Sequence, residues 1–176
     1  YVKKKISPIK LEQVLLLGDK SFIQEDGIAR VYPNGNLFSH VIGQIDNDNN
    51  GISGIEKTFD YELTTTKEPL KLTLDKDLQY LIKKELLNSK DIFQNIGSAA
   101  ILMDINNGHI LSMVSLPDFD LNKREKINDV KYINRATKGV YEFGSVFKTF
   151  TLAAGLQYNV VETETEFKDL KKRITC

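Results

Sequence analysis

Ser145 and Lys148 stand three residues apart in the run YEFGSVFKTFT, residues 141–151. On a helix that spacing carries two side chains to one face, close enough to meet. Gly144 comes directly before the serine and lets the backbone turn sharply, and Ser145 falls at the positive end of the helix dipole. A serine hydroxyl is a weak nucleophile until a base takes its proton. A lysine becomes such a base when burial strips its hydration and pushes its pKa down. The pair therefore offers a nucleophile with its activator one turn away. A plainer reading stands beside it: Ser145 as a helix N-cap, with Lys148 snorkelling behind.

Surroundings, more than spacing, separate the two. The chain holds a second Ser-x-x-Lys at Ser7-Pro8-Ile9-Lys10, with Lys3, Lys4 and Lys5 before it and a proline inside. That is a solvated segment with nothing to desolvate a base. After Ser145, by contrast, Val146, Phe147, Phe150, Leu152, Ala153, Ala154 and Leu156 make a helix apolar nearly all round. The pattern predicts a buried helix and a desolvated Lys148.

The elements that must position this helix are legible upstream. Residues 1–66 are rich in turn residues, with short apolar runs at 11–17, 29–32 and 39–45; Thr64, Thr65, Thr66 and Pro69 then form a break. Residues 70–74 alternate as a short strand, and Asp75 is placed to cap a helix. That helix carries Leu78, Leu81, Ile82 and Leu86 at helical spacing, leaving Lys83, Lys84 and Asn88 to water. Residues 98–105 and 109–115 read as strands around Asn106, Asn107 and Gly108, and Asn107-Gly108 predicts a hairpin with a type I′ turn. Both strands are almost continuously apolar, as expected of a sheet covered on both faces. A polar loop over 118–129 leads to the nucleophile helix.

Composition removes several classes. Lys plus Arg and Asp plus Glu number 24 each over 176 residues, so no net field recruits nucleic acid or an anionic membrane. Lys168, Lys171, Lys172 and Arg173 read as a solvated face. Cys176 is the one cysteine, which forbids an internal disulfide, and no apolar run approaches the roughly 18–20 residues of a membrane span. Asp46 to Gly51 begins like an EF-hand loop, yet its twelfth position is Lys57, with Glu56 one residue early; a turn held by its own Asx side chains fits better. His40 and His109 have no metal-ligand spacing around them and sit in no recognisable Ser-His-Asp site. Glu142 and Arg135 read as ion-pairing residues rather than catalytic ones. No phosphate-binding glycine loop is present, and no cofactor is called for.

The stretch GSAAILMDINNGHILSMVSLPDFDLN, followed by INRATKGVYEFGSVFKTFTLAAGL, resembles the start of the transpeptidase domain of penicillin-binding proteins. Upstream, RVYPNGNLFSHVIGQIDNDNNGISGIEKTFDYEL is similar to the membrane-proximal region of the class B enzymes. The phrases YP-G, HVIG and GISGIE, in that order and spacing, are far more specific than Ser-x-x-Lys, and SLPDFDLN leans toward the cell-division type. One departure is visible: many relatives carry proline where Phe143 precedes Gly144.

The resemblance implies an α+β fold in two parts. Residues 1–66 would be a β-rich pedestal or dimerisation-type region, and residues 67–176 the first portion of the transpeptidase domain, an antiparallel sheet flanked by helices. It implies Ser145 as the acylated nucleophile, Lys148 as its base, peptidoglycan stem peptides as substrate and β-lactams as inhibitors. It further implies cell-wall or division proteins as partners of the N-terminal region, and a periplasmic location held by an inner-membrane anchor preceding Tyr1. Neither Ser-x-Asn nor Lys-Thr-Gly, the later motifs of the set, occurs in the 176 residues. The chain therefore reads as an N-terminal fragment, catalytically incomplete by itself, whose sheet lacks partner strands. A β-lactamase or β-lactam sensor shares Ser-x-x-Lys but lacks the HVIG and GISGIE region. A non-catalytic scaffold piece of the division machinery is the alternative from another class.

Overall fold

The computed structural model describes residues 3, 5–123 and 130–168. Lys4, the 124–129 part of the polar loop, Lys171, Lys172, Arg173 and Cys176 lie outside the described residues. The chain divides into two compact units, Tyr1–Gly139 and Val140–Cys176.

In the first unit, α1 (Pro8–Leu15) opens on Ser7, whose hydroxyl accepts the backbone N–H of Lys10, with Pro8 in the first turn. The Ser-x-x-Lys decoy is thus a helix cap. Short helices follow: α2 (Ser39–Ile42), α3 (Gly54–Thr58) and α4 (Asp60–Thr65). A β-rich region was the expectation for residues 1–66; the described residues there form helical turns, with an isolated bridge between Ile45 and Gly51. Backbone crossing explains the difference. Gly43 (φ +82°) and Gly54 (φ +60°) lie so close that a Cβ on Gly54 would come 2.8 Å from the Gly43 Cα and 2.6 Å from the Val41 carbonyl. A Cβ on Gly43 would strike the Ser53 carbonyl. Two helix ends meeting through glycines take the place of a ladder. Glu56, 5% exposed, is brought inward by this crossing and receives Arg30 as a fork, Nε to Oε1 at 2.8 Å and Nη2 to Oε2 at 2.9 Å. Burial, and then the Glu56 charge, push the neighbouring Tyr32 hydroxyl far above its ordinary pKa.

The 46–51 loop closes on Asp46, whose Oδ1 accepts the N–H groups of Asp48 (2.7 Å) and Asn50 (2.9 Å). It is the Asx-held turn that the sequence suggested.

Helix α5 (Lys76–Phe93) starts where expected: the Asp75 carboxylate accepts the N–H groups of Asp77 and Leu78. Strands β1 (Ser98–Met103) and β2 (Ile110–Leu116) form an antiparallel pair, Ala100 opposite Val114, with an irregularity at Leu102/Met103. The turn between them is wider than a type I′ turn. Gly108 takes φ +74° and its N–H donates to the Asp104 carbonyl, while Asn107 is not left-handed. Asp104 is the cause: its Oδ1 accepts the N–H of Asn106, and its Oδ2 accepts Asn107 Nδ2. Residues 70–74 form no strand. They lie beside β2, where Thr73 Oγ1 donates to the Ile110 carbonyl and the Asp75 N–H to the Leu111 carbonyl.

The core sits at the end of β2 and just beyond it, in Val114, Leu116, Phe119 and Leu121. Helix α5 packs on β2, as does α6 (Arg135–Lys138), which Asn134 caps through the Ala136 N–H. Coverage is one-sided: β2 is largely buried, whereas Ile101, Leu102 and Met103 of β1 are exposed. The continuous apolar pattern of β1 therefore meets no second layer among the described residues. No helix among those residues is long and apolar enough to cross a membrane.

Candidate active site

The second unit holds the nucleophile candidate. Gly144 adopts φ +52°, the left-handed region that side chains disfavour, and opens a 3₁₀ turn over Gly144–Phe147. Ser145 lies inside that turn. Lys148 is the first residue of α7 (Lys148–Gln157), and its backbone N–H donates to the Ser145 carbonyl. In a 3₁₀ turn, side chains at i and i+3 eclipse one another, so the junction holds Ser145 and Lys148 in line on one face. The N-cap reading of Ser145 does not survive: the residue preceding the turn is Phe143, and no side chain caps it.

Helix α7 then runs to a reversal in which the N–H groups of Val160 and Val161 donate to the Gly155 carbonyl. Gly155 admits this because a Cβ there would come 2.8 Å from a methyl of Val161. The Phe147 and Phe150 rings meet at 5.4 Å on the outside of the helix.

Burial is where the sequence misleads. Val146 is 64% exposed, Phe150 63% and Leu152 57%, and Ser145 and Lys148 are themselves exposed. The expected desolvation of Lys148 is therefore not found. The physical reason is local: among the described residues the unit sets its own reversal at 158–161 against an all-round apolar helix. Among the described residues neither the Ser145 hydroxyl nor the Lys148 ammonium has a hydrogen-bond partner.

Of the remaining candidates, His40 and Arg135 make packing or backbone contacts. His40 lies against Phe119, ring centroids 5.2 Å apart, and its Nε2 donates to the Lys131 carbonyl at 2.7 Å, while burial pushes its pKa down. His109 is exposed beside the hairpin turn. The backbone N–H of Arg135 donates to the Ser115 hydroxyl oxygen at 3.0 Å, and Glu142 is exposed. No group of three or more His, Cys, Asp or Glu suited to a metal occurs among the described residues.

Sequence reasoning passed over the polar residues that tie the positioning elements together. Lys83, assigned to water, pairs with Asp118 in a half-buried bridge. Asn122 makes both backbone bonds to Tyr32, accepting its N–H at 3.0 Å and donating to its carbonyl at 2.8 Å. Asn36 Nδ2 donates to Asp118 Oδ1 at 3.4 Å. The YPNG and SLPDFDLN runs are thus pinned side by side, a contact that their separate quotation could not reveal.

Residues 98–175 match the family described as the penicillin binding protein transpeptidase domain. The match spans the hairpin, Ser145 and Lys148. The chain belongs to the class B penicillin-binding proteins. It is 31% identical over 171 residues to the probable peptidoglycan D,D-transpeptidase FtsI of Caulobacter vibrioides, covering 95% of this chain and 29% of that protein. It is 32% identical to stage V sporulation protein D of Bacillus subtilis, covering 93% of this chain and 30% of the relative. The fold resembles penicillin binding protein 3 of Mycobacterium tuberculosis with a TM-score of 0.64 and 28% identity, over 75% of this chain and 32% of that one. The mycobacterial protein has also been crystallised with aztreonam. This penicillin-binding protein chain thus spans about 30% of the length of the curated relatives it matches.

Proposed function

We propose that Ser145 is the acylated nucleophile of a peptidoglycan D,D-transpeptidase that acts in cell division, with Lys148 as its base. One observation carries this reading: the left-handed Gly144 and the 3₁₀ turn set Ser145 and Lys148 in line at the mouth of α7, inside the matched domain. The Ser145 Oγ attacks the carbonyl carbon between the two terminal D-alanines of a stem peptide while Lys148 Nζ, in its neutral form, takes the hydroxyl proton. The N–H of Ser145 lies in the first turn, where helix donors lack intrahelical acceptors, and serves the developing oxyanion. The proton passes to the leaving D-alanine amine, and an amine from a neighbouring stem then resolves the ester into a cross-link. A β-lactam offers a strained amide to the same serine and leaves a slowly hydrolysed acyl-enzyme, in keeping with the aztreonam complex of the mycobacterial relative.

The same reading assigns residues 1–66 to the pedestal that meets division or cell-wall proteins, and residues 67–176 to the opening of the transpeptidase domain. It places the protein at the periplasmic face of the inner membrane, on an anchor helix preceding the present sequence. The chain alone is not a competent enzyme. An exposed Lys148 keeps its hydration, and the chain has no Lys-Thr-Gly run to hold the substrate carboxylate.

The test is release of D-alanine from a stem pentapeptide by the full-length gene product. Ser145→Ala and Lys148→Met should each lower kcat at least about a hundredfold, the scale of a lost nucleophile or general base. Undiminished turnover by Ser145→Ala would end the proposal.

A further inference from the structure

The hairpin turn contains Asn107-Gly108, exposed to solvent and without a function in the reading above. Asn-Gly is the pairing in which a backbone amide most readily attacks the preceding carboxamide, since glycine has no Cβ to obstruct the approach. Here all three groups needed for that reaction are held. The attacking Gly108 N–H donates to the Asp104 carbonyl at 2.8 Å. Asn107 Oδ1 accepts the His109 N–H at 2.8 Å, and Asn107 Nδ2 donates to Asp104 Oδ2 at 2.9 Å. Asp104 thus grips the nucleophile through its backbone and the leaving group through its side chain.

We propose that Asn107 is a latent deamidation site, kept closed by Asp104 in the folded hairpin and opened when the turn opens. In the reaction the Gly108 nitrogen gives its proton to solvent base and bonds to Asn107 Cγ. Nδ2 takes a proton from the solvent, the Cγ–Nδ2 bond breaks, ammonia departs and a cyclic imide remains. Water opens that ring to aspartate or isoaspartate. The aspartate product places a carboxylate where Nδ2 had met Asp104, so a donor to an anion becomes a second anion. Isoaspartate lengthens the backbone by one methylene carbon. Either product loosens the turn joining β1 to β2, and with it the strand that carries Val114 and Leu116 into the core. Opening thus permits the modification at this exposed turn, and the modification in turn favours opening.

Peptide mass mapping of the chain held at pH 8 and 37 °C tests this, with the urea-unfolded chain as the upper limit. Folded wild type should convert Asn107 at least about tenfold more slowly than the unfolded chain, the factor expected of one charge-assisted hydrogen bond. Asp104→Ala should bring the rate toward the unfolded limit. Both variants keep the backbone acceptor for Gly108; Asp104→Asn also keeps an Oδ1-like oxygen for Asn106 and should fall between, and circular dichroism confirms that each variant is folded. Equal rates in folded and unfolded wild type would overturn the proposal. So would a folded Asp104→Ala variant that converts no faster than wild type.

Discussion

The Gln79 carboxamide occupies the place of a neighbouring strand beside Met113: its Oε1 accepts the Met113 N–H and its Nε2 donates to the Met113 carbonyl, both at 2.9 Å. Met113 is opposite Ile101 in the β1–β2 pair, and because both its backbone groups bond Gln79 this is a non-hydrogen-bonded pair whose Met113 polar groups point away from β1 toward the outer edge of β2. Thr73 and Asp75 cover the same strand further along. A side chain and a capped helix start therefore close one edge of the sheet, which would otherwise be a site for stray pairing.

Gln79 is 1% exposed and uses its remaining capacity on the Ser112 hydroxyl (2.7 Å) and the Leu37 carbonyl (2.9 Å). Gln79→Ala leaves several buried polar groups unmet and should cost about 3 kcal/mol, read as a fall in the urea midpoint at unchanged slope. A loss under about 0.5 kcal/mol would mean that water satisfies these groups equally well.

These two residues also show what the sequence could and could not convey. Local rules hold where the information is local: Asp75 caps α5, and the hairpin lies where Asn-Gly and two apolar runs put it. Gln79 and Lys83 are polar, one turn apart on α5, and look like solvent-facing positions. Their partners, Leu37, Met113 and Asp118, are distant in sequence, and nothing in the periodicity of α5 announces them. The turn type differs for a local reason instead, since Asp104 three residues before Asn107 widens it. At the candidate site the placing of Ser145 and Lys148 on one face was legible, because i and i+3 is a local relation. The burial of α7 was not, because an all-round apolar helix records only that something should cover it.

The glycine crossing between residues 41–43 and 53–54 is the least tolerant point of the N-terminal region. Gly54→Ala adds a Cβ 2.6 Å from the Val41 carbonyl at φ +60° and should cost more than about 3 kcal/mol in thermal or urea unfolding. Gly27→Ala, with nothing within 4 Å, serves as the control and should be neutral or slightly stabilising, by up to about 1 kcal/mol. Equal effects at the two positions would remove the crossing as the reason for the HVIG and GISGIE pattern.

His40 supplies a pH dependence whose sign follows from its burial. Desolvation lowers its folded pKa below the usual 6.5, opposed by the bond to the Lys131 carbonyl and the charge of Asp118, and aided by Arg135 and Lys83. Between the folded value and about 6.5 the unfolded chain binds the proton and the folded one does not, so stability falls as pH falls through that window. Above it, His40 contributes no slope. Urea midpoints at pH 8, 7, 6 and 5 should show a steeper loss below pH 7 for wild type than for His40→Gln, whose amide can still reach the Lys131 carbonyl. Parallel curves would contradict the account.

The 176-residue chain by itself should form no stoichiometric adduct with benzylpenicillin, because Lys148 is exposed and the 176 residues hold no Lys-Thr-Gly run. An adduct at one equivalent on Ser145 would show that the 3₁₀ junction alone suffices to activate the hydroxyl.

The central claim is the role of Ser145, and intact mass of the full-length gene product after incubation with benzylpenicillin tests it most directly, beside its Ser145→Ala variant. The account predicts a gain of one penicilloyl group per chain that is absent from the variant. No gain in a folded protein, or a gain that persists in Ser145→Ala, would contradict it.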